Sequence, residues 1–200
     1  MSSSTSALQQ KNAKHLIQSF SDLSYIKNPE STHIISRADG VYIYDNDGKK
    51  ILDSMSGLWC VNMGYGQQSI IEAVNEQMKE LVYYNNFFGS SHPSAIRLSE
   101  MIADKTPEGM NKIYFCGSGS EANDTVVRLA RHYWAARGNK SKSVIISRTN
   151  AYHGSTMAGA SLGGMSAMHA QGGLPIADIE HIDQPYYYDA CVEAGGKIDA

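Results

Sequence analysis

The sequence predicts an α/β protein with a parallel sheet, preceded by a smaller segment of mixed α and β structure. First, the stretch 113–134 has the pattern of a short apolar strand, a glycine turn and an amphipathic helix. Second, the apolar run 144–146 predicts another strand, and two strands joined by a helix form the βαβ unit of a parallel sheet. Third, alternating apolar residues around the turn 45–48 predict an antiparallel β-meander at 36–52.

The N-terminal third contains three further features. We expect disorder at 1–7 and a short amphipathic helix at 13–20. The segment 53–66 is rich in glycine, poor in charge and carries Trp59, so it is interpreted either as a packed linker or as a pocket wall. A helix is predicted at 69–81, because Ser69 and Glu72 have the spacing of a capping box. Its apolar stripe is expected in the core and contains Ile70, Ile71, Val74, Met78 and Leu81.

Aromatic residues crowd the loop 83–89, which includes Phe87 and Phe88. So many aromatic side chains exceed what one buried face can absorb, which favours a binding wall or a subunit contact. Pro93 suits the first turn of another helix, predicted at 94–105. Further along, the pattern predicts a long loop with a marginal helix at 158–173 and a short strand that runs into a turn at 181–188.

The start of a helix predicted at 118–137 is the main candidate binding site. Ser118 and Glu121 form a second capping-box pattern, so Ser118 is expected to cap this helix. A helix start presents free backbone N–H groups at the positive end of the helix dipole. The small residues Gly119 and Ser120 let an anion approach, so phosphate is the obvious ligand. The alternative is a structural strand-to-helix turn without a ligand.

A dinucleotide site is a competing interpretation of the same turn. Residues 117–122 fit the loose pattern G-x-G-x-x-G/A. Such a site needs an acidic residue after the next strand, but Arg148 stands there and the next acid is Asp178. The pattern therefore disfavours NAD, although Arg148 would suit the 2′-phosphate of NADP. No stretch fits G-x-x-x-x-G-K-[ST], so a nucleoside triphosphate site is not predicted.

The loop after the second predicted strand is expected to face the same crevice. Ligands bind beyond the carboxyl ends of parallel strands, and those ends lead into 117–120 and into 148–156. The second loop carries Tyr152 and His153. An aromatic ring beside a phosphate cradle suggests a flat, phosphorylated ligand. Taken alone, Tyr152 and His153 are better explained as a hydrogen-bonded surface turn.

Composition excludes several classes of protein. The chain has 200 residues, of which 42% are hydrophobic and 18% charged, and its formal net charge is -3. These values are typical of a globular protein and give no indication of nucleic acid or an anionic membrane as partner. The sequence shows neither a membrane span nor a signal-peptide pattern behind its polar N-terminus. Cys60, Cys116 and Cys191 are widely spaced, which predicts a reducing compartment and no metal site.

Seven short motifs together resemble the N-terminal part of a class III aminotransferase. The resemblance is strongest to the ω-aminotransferase branch, of the amine–pyruvate or β-alanine–pyruvate kind. The motifs are DGVY at 39–42, SGLWCVNMGYG at 56–66, FFGSSHP at 87–93, GSGSEANDT at 117–125, YHGST at 152–156, GASLGGM at 159–165 and LP at 174–175. Each is weak alone, but together and in this order they are specific. They cover nearly all of the chain.

This resemblance implies a fold, a cofactor and a reaction. The fold would be the three-layer, mostly parallel sheet of the pyridoxal phosphate (PLP)-dependent transferases of fold type I, here incomplete. Residues 1–65 would belong to the small domain, and residues 66–200 would begin the large PLP-binding domain. PLP serves as an electron sink, and an amino group passes from an amine or ω-amino acid to a keto acid such as pyruvate in a ping-pong reaction. We expect a cytoplasmic homodimer with active sites at its interface.

The resemblance also implies roles for individual residues. The cofactor-binding residues would be Ser118, Gly119 and Ser120 at the phosphate, with Tyr152 stacked on the pyridine ring and His153 in support. The substrate pocket would be lined by Phe20, Trp59 and Tyr152, and Phe87 or Phe88 would reach into the partner subunit's site. These aromatic residues favour an apolar or ω-amino donor over a plain α-amino acid.

The sequence departs from this family in its length. Family members are markedly longer, and their Schiff-base lysine, pyridinium aspartate and carboxylate-binding arginine are expected beyond Ala200. None of the lysines present lies in a matching motif, so we expect an inactive fragment of the enzyme. Two alternatives stay open. One is an NADP-dependent oxidoreductase that uses 117–122 as its dinucleotide loop, and the other is a non-catalytic relic of the PLP fold that acts only as a subunit partner.

Overall fold

The computed structural model describes residues 4–186, and the chain divides into two compact units, Met1–Pro93 and Ser94–Ala200. The domain boundary predicted near residue 65 separates the small and large domains of a whole enzyme. The division into two compact units does not test that boundary, which stays a prediction. Cys191 and the end of the turn predicted at 181–188 lie outside the described residues. Among the described residues, no helix combines the length and the apolar composition that a bilayer crossing requires.

The first unit combines short helices with a small antiparallel sheet. Its elements are α1 (Thr5–His15), α2 (Leu23–Ile26), a 3-10 turn (Pro29–Ser31), β1 (Ile35–Asp39), β2 (Tyr42–Asp45), β3 (Lys50–Leu52), α3 (Ser56–Trp59) and α4 (Gln68–Glu80). The strands pair antiparallel in the order β1–β2–β3, which confirms the predicted meander. Helix α1 begins at Thr5 because Ser4 caps it, so the expectations of disorder at 5–7 and of a helix at 13–20 are wrong.

Helix α4 lies close to its predicted position but differs from the prediction in two ways. Its N-cap is Gln67, which makes no side-chain cap, so the predicted capping box of Ser69 and Glu72 is wrong. Its apolar stripe is exposed rather than buried, from 36% at Leu81 to 55% at Met78. A 3.6-residue period shows that one face of a helix is apolar, but burial of that face also requires an element that packs on it.

The second unit contains a parallel pair of strands with helices around it. Its elements are α5 (Pro93–Ala103, which begins at the boundary), α6 (Gly119–Ala136), β4 (Ile145–Arg148), α7 (Met157–Leu162), α8 (Ser166–His169) and β5 (Ile179–Ile182). Strands β4 and β5 pair in parallel, from Ile145 opposite Ile179 to Arg148 opposite Ile182. A parallel pair is therefore present, but it joins β4 to β5 through α7 and α8, whereas the predicted pair was 113–116 with 144–146 joined by the helix at 118–137.

The strand predicted at 113–116 is absent, because these residues form no regular element. A strand is defined by hydrogen bonds to a neighbour, and an apolar run does not by itself supply one. The core of this unit is formed by Val127 of α6, Leu162 of α7 and Ile179 of β5. The segment 158–173, predicted as a long loop with a marginal helix, contains most of α7 and all of α8, and residues 159–162 are buried in α7. Small side chains allow this close approach, and Ser161 is fully enclosed.

The chain exposes far more surface than a folded monomer of its size. Its accessible surface is 15789 Å², whereas a globular monomer of 21.9 kDa exposes roughly 9,300 Å². Much of the excess is apolar, since large hydrophobic side chains of both units, such as Met63 and Met101, are more than half exposed. These elements therefore present apolar faces that further protein surface could cover.

Candidate functional site

Helix α6 begins where the sequence predicts, with Ser118 as its N-cap. The Ser118 hydroxyl oxygen accepts a hydrogen bond from the Glu121 N–H at 3.2 Å, and the Ser118 carbonyl accepts one from the Ala122 N–H at 3.0 Å. The Glu121 carboxylate does not return to the N–H of Ser118; it accepts a bond from the Gly117 N–H at 2.6 Å. The capping box is therefore half formed, and its second half is displaced by one residue.

The first two N–H groups of α6 are left available. In the part of the chain that the structure describes, no acceptor reaches the backbone N–H of Gly119 or Ser120. A side chain built at Gly119 would meet no atom within 4 Å, so the space beside this helix start is open. Two backbone donors at the positive end of an 18-residue helix, beside open space, fit a phosphate group.

The loop after β4 is folded tightly against the chain that follows α7. The Asn150 N–H donates to the Gly164 carbonyl at 3.0 Å, and the Gly164 N–H donates to the Ala151 carbonyl at 2.9 Å. A Cβ atom at Gly164 would lie 2.3 Å from the Arg148 carbonyl oxygen, so only glycine permits this approach. Tyr152 follows directly and keeps 54% of its surface exposed. The fold therefore fixes the backbone that carries Tyr152 while leaving its ring accessible.

Direct hydrogen bonds join this loop to α6. The Ser155 N–H donates to the Ser120 hydroxyl oxygen at 3.1 Å. The Asn123 side-chain amide donates to the His153 carbonyl at 2.7 Å. The Thr156 hydroxyl, which caps α7, donates to the Asp124 carboxylate at 2.6 Å. The prediction that the two loops lie side by side is therefore confirmed.

Gly154 is the closest point between the two loops. Its φ of +125° lies in the range that favours glycine, and a Cβ atom there would lie 2.5 Å from the Ser120 hydroxyl oxygen and 2.8 Å from the Ser120 Cα. Sequence reasoning singled out neither Gly154 nor the polar pair Asn123 and Asp124. A usable signal was present, because Asn123 and Asp124 follow Ser120 by three and four residues and so share its face of the helix.

The Ser120 hydroxyl has a defined orientation. Its oxygen accepts the Ser155 N–H, so its own hydrogen is free to be donated elsewhere. A hydroxyl group supplies one donor and two acceptor lone pairs. Ser120 can therefore hold the loop and donate to an anion at the same time. The Ser118 hydroxyl, in contrast, is used as the cap of α6.

Apart from Tyr152, the aromatic residues predicted for the substrate site lie in the first unit, and they are exposed. Three of them have a left-handed backbone, with φ of 53° at Phe20, 65° at Trp59 and 54° at Phe88. Bulky residues rarely adopt positive φ, and strain of roughly 1–3 kcal/mol at such positions is concentrated at functional sites. The Phe87 and Phe88 rings lie 6.0 Å apart, but Phe88 alone of the two has the strained backbone and is fully exposed.

Trp59 ends a short left-handed turn. All four residues of α3 have positive φ, from 49° at Ser56 to 65° at Trp59. A left-handed residue other than glycine costs roughly 1–2 kcal/mol, and Gly57 is the single glycine among the four. Two backbone bonds close the turn, from the Trp59 N–H to the Met55 carbonyl at 2.8 Å and from the Cys60 N–H to the Ser56 carbonyl at 2.9 Å.

A carboxylate and a phenol lie against this turn. The Tyr65 hydroxyl donates to the Asp53 carboxylate at 2.7 Å. This hydrogen bond is the main cause that lowers the pKa of Asp53 below its ordinary value, and backbone N–H donors lower it further. The same bond raises the pKa of Tyr65. The pair therefore exists as a carboxylate with a neutral phenol over the whole range near neutral pH.

Comparison with known proteins identifies relatives that match most of this chain. Residues 25–196 match the family described as Aminotransferase class-III. A putrescine–pyruvate aminotransferase of Pseudomonas aeruginosa is 55% identical over 174 residues, which are 87% of this chain and 38% of that protein. A diaminobutyrate–2-oxoglutarate transaminase of Halomonas elongata is 40% identical over 83% of this chain and 35% of its own length. The chain thus spans somewhat more than a third of these relatives.

Solved structures agree with this match. A transaminase from the marine bacterium Virgibacillus superposes on 94% of this chain and 45% of its own, with a TM-score of 0.86 and 37% identity. The omega transaminase of Pseudomonas jessenii in complex with PMP superposes on 90% of this chain and 40% of its own, with a TM-score of 0.87 and 35% identity. These comparisons give no support to an oxidoreductase that uses 117–122 as a dinucleotide loop.

Proposed function

The chain belongs to the class III aminotransferase family, whose cofactor is PLP, and we propose that its protein transfers an amino group from an amine or ω-amino acid to a keto acid such as pyruvate. It has the α/β fold of the PLP-dependent transaminases in incomplete form. The observation that carries this proposal has two parts. The first two backbone N–H groups of α6 face open space, and the Ser120 hydroxyl is hydrogen-bonded to the loop that carries Tyr152. The 55% identity to a putrescine–pyruvate aminotransferase supports an amine donor and a pyruvate acceptor.

The phosphate of PLP would be held at the start of α6. We assign it the N–H groups of Gly119 and Ser120 and the Ser120 hydroxyl, because all three belong to the first turn of α6, where the space beside Gly119 is open. Ser118 contributes indirectly by capping the helix and so fixing the direction of these donors. Charge-assisted hydrogen bonds of this kind contribute about 1.5–3 kcal/mol each.

The ring of the cofactor would lie over Tyr152. Its loop is fixed at both ends, since the Asn123 amide holds the His153 carbonyl and Gly164 holds Ala151. A fixed aromatic side chain can orient a flat ring and exclude water from one side of it. His153 supports Tyr152 in this proposal. PLP, when bound, withdraws electrons from the substrate carbon that carries the amino group.

The substrate pocket would be lined by Phe20, Trp59 and Tyr152, with Phe88 or Phe87 reaching the site of a partner subunit. Support comes from the exposed aromatic rings and from the strained backbone at Phe20, Trp59 and Phe88. Apolar walls favour amines with an aliphatic or aromatic body over plain α-amino acids. The proposal retains a homodimer and a cytoplasmic location, as the resemblance implies.

We further propose that this chain is the N-terminal part of a longer enzyme. Its excess apolar surface and the greater length of its relatives support this view. The lysine that moves the proton, the aspartate at the pyridinium nitrogen and the arginine for the acceptor carboxylate would come from beyond Ala200. Residues 1–200 alone are then expected to show no turnover. Reading the gene past the codon of Ala200 tests whether the frame continues into a lysine motif.

The function is tested on the full-length protein with PLP. We expect alanine to form from pyruvate in the presence of putrescine or β-alanine and not in their absence. The Ser120→Ala variant is expected to weaken PLP binding by about tenfold or more. Ser141→Ala is the matched control, because Ser141 is exposed in the loop after α6. Absence of alanine with every amine tested, or equal PLP affinity in both variants, would contradict the proposal.

A further inference from the structure

The loop that carries Trp59 is anchored at both ends to the turn between β1 and β2. The Asp53 N–H donates to the Val41 carbonyl at 3.0 Å. The Tyr65 N–H donates to the Gly40 carbonyl at 2.7 Å, and the Gly40 N–H donates back to the Tyr65 carbonyl at 3.2 Å. Residues 53–65 therefore form a closed loop whose two ends are hydrogen-bonded to Gly40 and Val41, the turn between β1 and β2.

Three donors from within this loop converge on the Asp53 carboxylate. One oxygen accepts the Met55 N–H at 3.2 Å, and the other accepts the Gly57 N–H at 2.8 Å and the Tyr65 hydroxyl at 2.7 Å. Gly57 is the second residue of the left-handed turn. The carboxylate thus ties the interior of the turn to both anchored ends of the loop.

The space around this carboxylate is filled. A Cβ atom at Gly57 would lie 2.6 Å from a Val61 methyl carbon and 3.0 Å from the Tyr65 hydroxyl. Gly57 has a φ of +58°, which favours glycine, and its close contacts leave little room for a side chain. The turn is therefore held in one arrangement by contacts as well as by hydrogen bonds.

Trp59 depends on this arrangement for its direction. Its side chain is 74% exposed, and within residues 4–186 no hydrogen bond, ring contact or cation–π contact is found for it. The ring therefore takes its position from its backbone, which is the last residue of the left-handed turn. The contacts that hold the left-handed turn therefore also determine where the Trp59 ring lies.

We propose that Asp53 and Tyr65 are positioning residues that set the size of the amine the enzyme accepts, by holding Trp59 in its left-handed turn. The inference rests on the proposed function, because it takes Trp59 as part of the amine pocket. Neither residue touches the substrate in this account. Both act through the backbone of 56–59.

The test compares Asp53→Asn and Tyr65→Phe in the full-length enzyme, with Tyr25→Phe as the control. Tyr25 is exposed in the same unit and belongs to α2, outside the loop 53–65. The measured quantity is the ratio of kcat/KM for 1-phenylethylamine to that for isopropylamine, with pyruvate as acceptor. We expect the ratio to change by about fivefold or more in both variants, with PLP affinity within about twofold of wild type and no change in the control.

Two further measurements separate positioning from general loss of structure. In a Trp59→Ala background the Asp53 and Tyr65 changes are expected to have no further effect on the ratio, since residues that act through one another are not additive. The Trp59 contribution to fluorescence anisotropy, taken against each protein's Trp59→Phe counterpart, is expected to fall in Tyr65→Phe. This second readout needs no turnover.

The outcomes that overturn the inference are distinct from those that overturn the function. An enzyme that makes alanine, and whose amine ratio responds to Trp59→Ala but not to Asp53→Asn or Tyr65→Phe, would refute positioning alone. An equal effect of Asp53→Asn with and without Trp59 would do the same. Unchanged Trp59 anisotropy in Tyr65→Phe would also refute positioning, and this readout does not depend on turnover. Absence of alanine formation, in contrast, would refute the proposed function.

Discussion

Replacing Gly154 by alanine is the sharpest perturbation of the candidate cofactor site. Gly154 lies where the loop after β4 touches the start of α6, and it makes no side-chain contribution of its own. A methyl group there would lie 2.5 Å from the Ser120 hydroxyl oxygen and 2.8 Å from both Cα and Cβ of Ser120. Because one of these atoms belongs to the helix backbone, a side-chain rotation of Ser120 cannot relieve the overlap.

The size of the effect follows from two separate terms. At a φ of +125° an alanine is strained by roughly 1–3 kcal/mol. Forcing one extra methyl group into a filled contact costs typically 1–3 kcal/mol more. We therefore expect the free energy of unfolding to fall by about 2–6 kcal/mol. If the loop instead moves away from Ser120, the Ser155 N–H loses its bond to the Ser120 hydroxyl and Tyr152 leaves the place proposed for the cofactor ring, so we expect a roughly tenfold or greater increase in the Kd for PLP.

The assay measures urea unfolding and PLP affinity of the full-length protein. Gly109→Ala is the matched control, because Gly109 also has a positive φ, of +87°, but an added Cβ there meets no atom within 4 Å. The control is expected to lose about 1–2 kcal/mol from backbone strain alone and to bind PLP like the wild type. A Gly154→Ala protein that lost no more stability than this control and kept its PLP affinity would refute the described contact between loop and helix.

Three further perturbations have defined outcomes. Asp124→Ala is expected to lower the free energy of unfolding by about 1–3 kcal/mol, because the Asp124 carboxylate accepts hydrogen bonds from the Thr156 hydroxyl and from the buried Gly159 N–H of α7. Asp124→Asn keeps one acceptor oxygen and should lower it less, as measured by urea unfolding. Arg131→Met is expected to lower the free energy of unfolding in urea by about 2 kcal/mol, because the Arg131 guanidinium donates to three backbone carbonyls. Arg128→Met, on the exposed side of α6, should leave it nearly unchanged. Asp53 has a pKa below its ordinary value, so its contribution to stability is present above pH about 4 and is lost as the pH falls through the lowered pKa. The difference in Tm between wild type and Asp53→Asn should therefore shrink in acid. A difference that grew in acid would contradict this prediction.

Local signals in the sequence predicted those elements that neighbouring residues stabilise. The meander formed as predicted because its strands are joined by a short turn that ends in Gly48. Helix α6 began as predicted because Ser118 supplies the first hydrogen bond from its own side chain. The loops 117–120 and 148–156 lie side by side as predicted, although the rule used, that strand ends share one edge of a sheet, does not explain it, because 113–116 forms no strand.

Features that depend on distant partners were not predictable in this way. The run 113–116 has the composition of a strand but no paired neighbour, and 159–162 is buried although its small residues suggested a loop. Asn123 and Asp124 read as ordinary polar helix residues until the loop they bind was in place. The left-handed turn at Trp59 had no signal, because left-handed conformation normally occurs as single residues and here it is held by a carboxylate several positions away.

Exposure and strain have different meanings in different parts of this molecule. The apolar stripe of α4 is exposed on an ordinary helical backbone, so burial against any complementary surface would stabilise it by roughly 25 cal/mol per Å² without further requirements. Trp59 is exposed on a backbone that has an unfavourable left-handed conformation. Asp53 and Tyr65 stabilise that conformation through their hydrogen bonds. Packing alone would not maintain such a conformation, because relaxing the turn would relieve strain and let the ring bury itself. The hydrogen bonds of Asp53 therefore oppose relaxation of the turn, and backbone strain that is held in this way is concentrated at functional sites.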